Sequence, residues 1–130
     1  MVEDVVSEKI SGKKIAVIDD SATVRKNTEK LLLKHNATVC EATDGLEGLA
    51  CVWEQRPDLI LLDIQMPRLL GYDVCRALRR HPEFNELPII FLSSNDGFFD
   101  KAKARTVGAN THLSKPYKNA ELISTIEQYL

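Results

Sequence analysis

The sequence predicts an α/β protein built on a doubly wound sheet of five parallel strands, with five helices alternating between them. Three observations carry that expectation. Short apolar runs recur, among them Ile15-Ala16-Val17-Ile18, Leu59-Ile60-Leu61-Leu62 and Ile89-Ile90-Phe91-Leu92, which suits strands buried on both faces. Longer stretches of helical period separate them, as right-handed crossovers between parallel strands require. Charged residues stand directly behind the runs: Asp19 and Asp20 after the first, Asp63 after the Leu59 run, and Lys115 after Thr111-His112-Leu113-Ser114.

The elements follow in order. Residues 1–12 read as a flexible leader, because the first strong apolar run begins only after Lys13-Lys14; residues 13–130 then form a single domain. Strand one is Ile15–Ile18. Val24, Thr28, Leu31, Leu32 and His35 fall on one face of helix one, and Leu46, Leu49, Ala50 and Trp53 repeat the pattern on helix two. Asp44-Gly45 with Glu47 resembles a capped helix start, and Arg56-Pro57-Asp58 stops that helix before the third strand. Cys75 and Leu78 lie on helix three, which ends near His81-Pro82. Pro88 opens the fourth strand. Asp96-Gly97 precedes helix four, Gly108 closes it, and the last helix turns Leu122, Ile123, Ile126 and Leu130 inward.

Composition narrows the class of protein. In 130 residues, 44% are apolar and 28% charged, a globular profile rather than a disordered one. A net charge of -2 gives no general attraction to nucleic acid or anionic lipid, and no basic recognition helix is evident. Cys40, Cys51 and Cys75 show no C-x-x-C spacing, as expected of reduced thiols in a cytoplasmic protein. Neither a signal peptide nor an apolar stretch long enough to enter a membrane is present.

In open sheets of this class, ligands bind beyond the carboxyl ends of the strands, where the strand order reverses. Asp19, Asp20, Asp63 and Lys115 all fall there. Neighbouring carboxylates repel unless a cation lies between them, and Mg²⁺ takes one or two carboxylates together with phosphate oxygens. Asp63 is then the nucleophile expected to accept a phosphoryl group as an acyl phosphate. Lys115 and the metal would neutralise the transferring oxygens, and Ser93 at the end of strand four could donate its hydroxyl to the bound phosphoryl. Ser21 or Asp20 is also a candidate cap for helix one.

Ile18-Asp19-Asp20-Ser21, Asp63 with Met66-Pro67 and Gly71, Pro88 through Ser94, and Lys115-Pro116-Tyr117 together resemble the two-component response-regulator receiver domain, over about residues 13–130. The resemblance implies a flavodoxin-like, CheY-like sheet of order 2-1-3-4-5. It implies Mg²⁺ held by Asp19, Asp20, Asp63 and the Gln65 backbone carbonyl, and a histidine kinase as phosphoryl donor. It also implies a cis peptide before Pro116, and a protein whose only chemistry is its own phosphorylation and dephosphorylation. Residues 92–104 are most similar to single-domain regulators of type IV pilus twitching motility, which implies a chemotaxis-type kinase and a pilus or signalling partner. The alternative is a receiver belonging to a longer regulator with a separate output domain.

Some positions depart from the family pattern. Leu70 stands where an acidic residue commonly precedes the glycine, and His112 replaces the usual switch Tyr or Phe that follows Ser93. Gln65 and Asn95 occupy the positions that tune phosphoryl lifetime. The expected output surface is the face of helix four, strand five and helix five, with Lys101, Arg105, His112, Tyr117 and one of Phe98 and Phe99. Two rivals fit worse. A haloacid-dehalogenase-type phosphatase needs an acid where Gln65 stands, and a flavodoxin-type phosphate loop would be repelled by Asp19 and Asp20.

Overall fold

The computed structural model describes residues 5–94 and 100–130. Elements alternate without exception: β1 (Lys14–Ile18), α1 (Ala22–Lys34), β2 (Thr38–Ala42), α2 (Gly45–Gln55), β3 (Leu59–Asp63), α3 (Gly71–Arg79), β4 (Ile89–Ser93), α4 (Lys101–Val107), β5 (Thr111–Ser114) and α5 (Asn119–Tyr129). All strand pairs are parallel, in the order β2-β1-β3-β4-β5. That is the doubly wound sheet expected from the alternation.

The central strands explain why their sequences are apolar throughout. Because successive side chains point to opposite faces, Ala16, Ile18, Ile60, Leu62, Ile89 and Phe91 join one core with Val52, Val74, Cys75 and Leu78 of α2 and α3. Their alternates Ile15, Val17, Leu59, Leu61, Ile90 and Leu92 join a second core with Leu32 of α1 and with Leu122 and Ile126 of α5. Every residue of β3 and β4 is therefore buried. No helix among the described residues is long and apolar enough to cross a membrane.

Helix two is rolled relative to the sequence expectation. Its buried residues are Gly45, Gly48 and Val52, whereas Leu46 and Trp53 are 46% and 49% exposed. Glycine decides this. A Cβ on Gly48 would stand 2.9 Å from Ile18 Cγ2, and one on Gly45 would stand 2.4 Å from Leu69 Cβ, so the bare backbone of this face lies directly on its neighbours and the larger apolar side chains turn outward. Helix four is described from Lys101, where Asp100 Oδ1 accepts from Lys103 N at 3.0 Å; Asn95, Asp96, Gly97, Phe98 and Phe99 lie outside the described residues. Gly108 closes the helix in the left-handed region, at φ 99°, where glycine carries no Cβ penalty.

The leader expected over 1–12 is docked from Ser7 onward. Ile10 is fully buried in the α1/α5 core. Ser7 Oγ donates to Glu127 Oε2 at 2.6 Å, the Ser7 amide donates to His35 Nδ1 at 2.9 Å, and the Gly12 amide to the Asn36 carbonyl at 2.9 Å. One isoleucine in this segment carries no periodic signal; only the core between α1 and α5 gives it a place.

This docking yields a stability prediction. Ile10→Ala should cost about 2–4 kcal/mol in urea denaturation, the range for deleting a buried isoleucine, while the exposed Val5→Ala should stay within about 0.5 kcal/mol. Equal, small effects of both substitutions would show that the segment contributes nothing to the fold.

Candidate functional site

Four strand ends build the site. Asp19 directly follows β1, Asp63 ends β3, Ser93 ends β4 and Lys115 directly follows β5. The parallel register aligns these ends: Ile18 lies opposite Leu62, Asp63 opposite Leu92, and Ser93 opposite Ser114. Residues up to 96 positions apart in sequence, Asp19 and Lys115, thereby come within bonding distance.

Local structure then orients each group. Ser21 is the N-cap of α1, its hydroxyl accepting from Val24 N at 3.2 Å, and its own amide donates to Asp19 Oδ1 at 2.9 Å. The cap and the acidic site are therefore compatible: Ser21 takes the capping role and Asp20 remains at the surface. Arg25, one turn into α1, donates to the Asp19 carbonyl at 2.7 Å and pairs with Glu41 at 3.5 Å. Across the cleft, the β3–α3 loop folds back on itself. The Gly71 amide donates to the Ile64 carbonyl at 2.7 Å, and a Cβ on Gly71 would stand 2.4 Å from the Asp63 carbonyl oxygen, an approach no other residue allows. Arg68 secures the loop by bonding Asp44 Oδ2 at 3.0 and 3.2 Å.

The electrostatics are those of a crowded carboxylate cluster. Asp19 is fully buried and Asp63 only 5% exposed, and one carboxylate oxygen from each of Asp19, Asp20 and Asp63 lies within 4.8 Å of the others. Lys115 Nζ stands 2.6 Å from Asp19 Oδ2 and 3.4 Å from Asp63 Oδ1. One ammonium among three carboxylates leaves the cluster negative. Burial, followed by the charge of Asp19, pushes Asp63 up to about 7 despite the opposing pull of Lys115. For Lys115, burial acts downward, but the hydrogen bond and charge of Asp19, joined by Asp63, outweigh it and raise the pKa.

These residues fit a hard divalent cation. Apart from the Lys115 ammonium at 2.6 Å, buried Asp19 Oδ2 has no hydrogen-bond partner among the described residues. Three carboxylates that offer oxygens within 4.8 Å of one another, with one ammonium among them, are the hard donor set that Mg²⁺ prefers.

The other expected residues fall in place to different degrees. Ser93 is buried, and its hydroxyl donates to the Leu113 carbonyl on β5 at 3.4 Å, while the Lys115 amide donates to the Ser93 carbonyl at 2.6 Å. Gln65 is exposed, two residues after Asp63. The Lys115–Pro116 peptide is cis. Leu70 occupies the N-cap position of α3 without a side-chain capping bond. His112 lies opposite Phe91 in the sheet and lines a depression of about 330 Å³ with Lys101 and Arg105 of α4; burial, then the charge of Lys101, lowers its pKa. Tyr117 does not join that face. Its hydroxyl pairs with Thr28 Oγ1 of α1 at 3.0 Å, because the β5–α5 loop carries it toward α1. Arg25 and Arg68 were not anticipated from sequence, since each acts across a gap that has no local signature.

The sequence pattern of the response regulator receiver domain matches residues 15–127. Protein PilG of Pseudomonas aeruginosa is 42% identical over 96% of this chain and 93% of its own length. Among solved structures, the chemotaxis protein CheY4 of Vibrio cholerae superposes with a TM-score of 0.85 at 30% identity, covering 91% of this chain and 98% of that one. The receiver domain of a sensor histidine kinase from Pseudomonas aeruginosa, with a magnesium ion coordinated in its active site cleft, has a TM-score of 0.83 at 29% identity, covering 92% of this chain and 98% of that one.

Carboxylate crowding has a measurable consequence in metal-free protein. Asp63 has a folded pKa of about 7, above its ordinary value of 3.8, so between those values the folded state binds more protons than the unfolded state and stability falls as pH rises. Asp63→Asn cannot ionise. In EDTA its Tm should exceed wild type by roughly 5 °C above pH 7, with the difference vanishing near pH 4, and Mg²⁺ should raise the wild-type Tm more than that of the variant. A difference independent of pH would show that ionisation of the buried, crowded Asp63 is not the cause.

Proposed function

Because the chain belongs to the response regulator receiver domain family, we propose that it takes a phosphoryl group from a histidine kinase onto Asp63 in a Mg²⁺-dependent reaction and passes the signal to a protein partner. It is a phosphorelay signalling domain rather than a metabolic enzyme. The observation that carries the reading is the buried Asp63 carboxylate set between Asp19 and the Lys115 ammonium.

The proposed step is an in-line transfer. An Asp63 carboxylate oxygen forms a bond to phosphorus while the phosphorus–nitrogen bond to the kinase histidine breaks, and the imidazole leaves with the electron pair. Asp19, Asp20, Asp63 and the Gln65 backbone carbonyl would hold the cation, whose positive charge keeps the carboxylates ionised and offsets charge on the phosphoryl oxygens. Lys115 stays protonated beside the site and pairs with one phosphoryl oxygen. Ser93 gives up its bond to the Leu113 carbonyl and donates to another. The energy exchanged at Ser93 is that of one hydrogen bond for a charge-assisted one, enough to shift a two-state equilibrium.

The output is proposed to run through α4, β5 and α5. His112, between Phe91 and the depression lined by Lys101 and Arg105, is placed to follow Ser93 as the switch residue. Similarity to PilG and CheY4 supports a chemotaxis-type kinase upstream and an output in type IV pilus twitching motility, with the protein acting in the cytoplasm. Gln65 and Asn95 are proposed to set the phosphoryl lifetime by orienting the water that hydrolyses the acyl phosphate.

Incubation with acetyl phosphate and Mg²⁺ should add the mass of one phosphoryl group to wild type and none to Asp63→Asn or to wild type in EDTA. Equal labelling of Asp63→Asn would overturn the assignment. In a dephosphorylation time course with Mg²⁺, Gln65→Leu and Asn95→Leu should each lengthen the half-life several-fold; unchanged decay would remove both residues from the hydrolytic step.

A further inference from the structure

The outward roll of α2 leaves an apolar groove between α2 and α3, lined by none of the residues of α4, β5 or α5. Of the large apolar side chains exposed among the described residues, Val5, Leu33, Leu46 and Trp53, Trp53 stands on the α2 wall of this groove. Leu49, Ala50 and Trp53 line it from α2, and Ala77, His81 and Phe84 from the α3 side, around a volume of about 380 Å³. A tryptophan left half in water forgoes a large hydrophobic gain.

Trp53 is also held in position. Its ring meets His81 edge-on at 4.9 Å and Phe84 at 5.9 Å. The Arg56 guanidinium lies 4.6 Å from the Trp53 ring and 5.0 Å from the Phe84 ring, and Arg56 is ion-paired with Glu83. An aromatic wall already fixed before a partner arrives is the kind of anchor that concentrates binding energy.

Charge on the two ridges is opposite. Glu47 and Glu54 stand exposed on α2, seven residues apart and therefore on one face, while Arg76 stands exposed on α3 and Arg80 exposed at its C-cap, four residues on. Glu47 is engaged by Thr43 at 2.8 Å and Arg76 by Asp73 at 3.1 Å, so Glu54 and Arg80 carry the freer charges. With Arg56 paired to Glu83 and Arg76 to Asp73, the free charge beside the apolar floor is negative on the α2 side, at Glu54, and positive on the α3 side, at Arg80.

We propose that this groove receives an amphipathic α-helix of a partner protein, its apolar stripe seated against Trp53 and Ala77, with basic residues along its α2 edge and acidic residues along its α3 edge. A second copy of this chain fits less well. Seating α3 of a two-fold-related copy in the groove sets Arg76 and Arg80 beside their own counterparts, and seating α2 does the same with Glu47 and Glu54. A helix with mixed edges meets both ridges with opposite charge.

The test uses three helix-stapled peptides with one shared leucine stripe: Lys on one edge and Glu on the other, Lys on both edges, or Glu on both. Each is titrated into the full chain in EDTA without phosphodonor, which separates the result from that of the phosphorylation experiment, and binding is read from fluorescence of Trp53, the single tryptophan. The mixed peptide should bind about fivefold more tightly than either uniform one, the scale of reversing one edge of surface charge pairs. Glu54→Lys should move the preference to the Glu-edged peptide, and Ala77→Glu, at an exposed position, should abolish binding with Tm unchanged. Equal affinities, absence of a fluorescence change, or an unmoved preference in Glu54→Lys would overturn the proposal. So would sedimentation of the peptide-free chain as a dimer that Ala77→Glu dissociates, because the groove would then belong to a second copy.

Discussion

Repulsion between the carboxylates at the ends of β1 and β3 is the constraint around which this protein is arranged. Asp19 and Asp63 are both nearly sealed from water, and the single ammonium of Lys115 cannot neutralise them together with Asp20. Burial makes each charge costlier and each interaction stronger, so the cluster stores a demand for positive charge that a divalent cation meets. Burial, and then the charge of Asp19, push Asp63 up to about 7, and under the proposed function a phosphoryl group, arriving with its own negative charge, would call on both cation and lysine.

Holding such a cluster in one place is a task for rigid elements. Each charged side chain follows a strand whose register is fixed by two cores, so none depends on a long loop for its position. The loops that do approach are pinned individually: Ser21 bonds Asp19 while capping α1, Gly71 lets the β3–α3 turn lie against the Asp63 backbone, and Arg68 ties that turn to Asp44 at the start of α2. Ser93 is different, because among the described residues its hydroxyl is held only by a 3.4 Å bond to the Leu113 carbonyl, and under the proposed function a bound phosphoryl group would offer it a stronger partner. A residue with two competing partners is what turns a binding event into a conformational choice.

The glycines of α2 serve packing and surface at once. Gly45 and Gly48 bring the helix backbone against Leu69 and Ile18, closer than a side chain would permit. The cost of that closeness is displaced outward, where Leu46 and Trp53 face solvent beside α3. A face produced by core packing thus becomes a surface of defined shape and charge.

Sequence by itself determined the alternation of strands and helices, the parallel sheet, and the set Asp19, Asp20, Asp63, Ser93 and Lys115, because strand period, helix period and strand-terminal charges are local properties written within a few residues. It did not determine which side of α2 is buried: a helical wheel ranks side chains by polarity, whereas a glycine face wins when the neighbouring backbone is near enough to exclude everything else. Nor could it place Ile10 in a core, Tyr117 against α1, or Arg25 and Arg68 at the site. Those contacts join residues whose neighbours in sequence say nothing of each other, and only the closing of helices over a finished sheet sets the distances at which they meet.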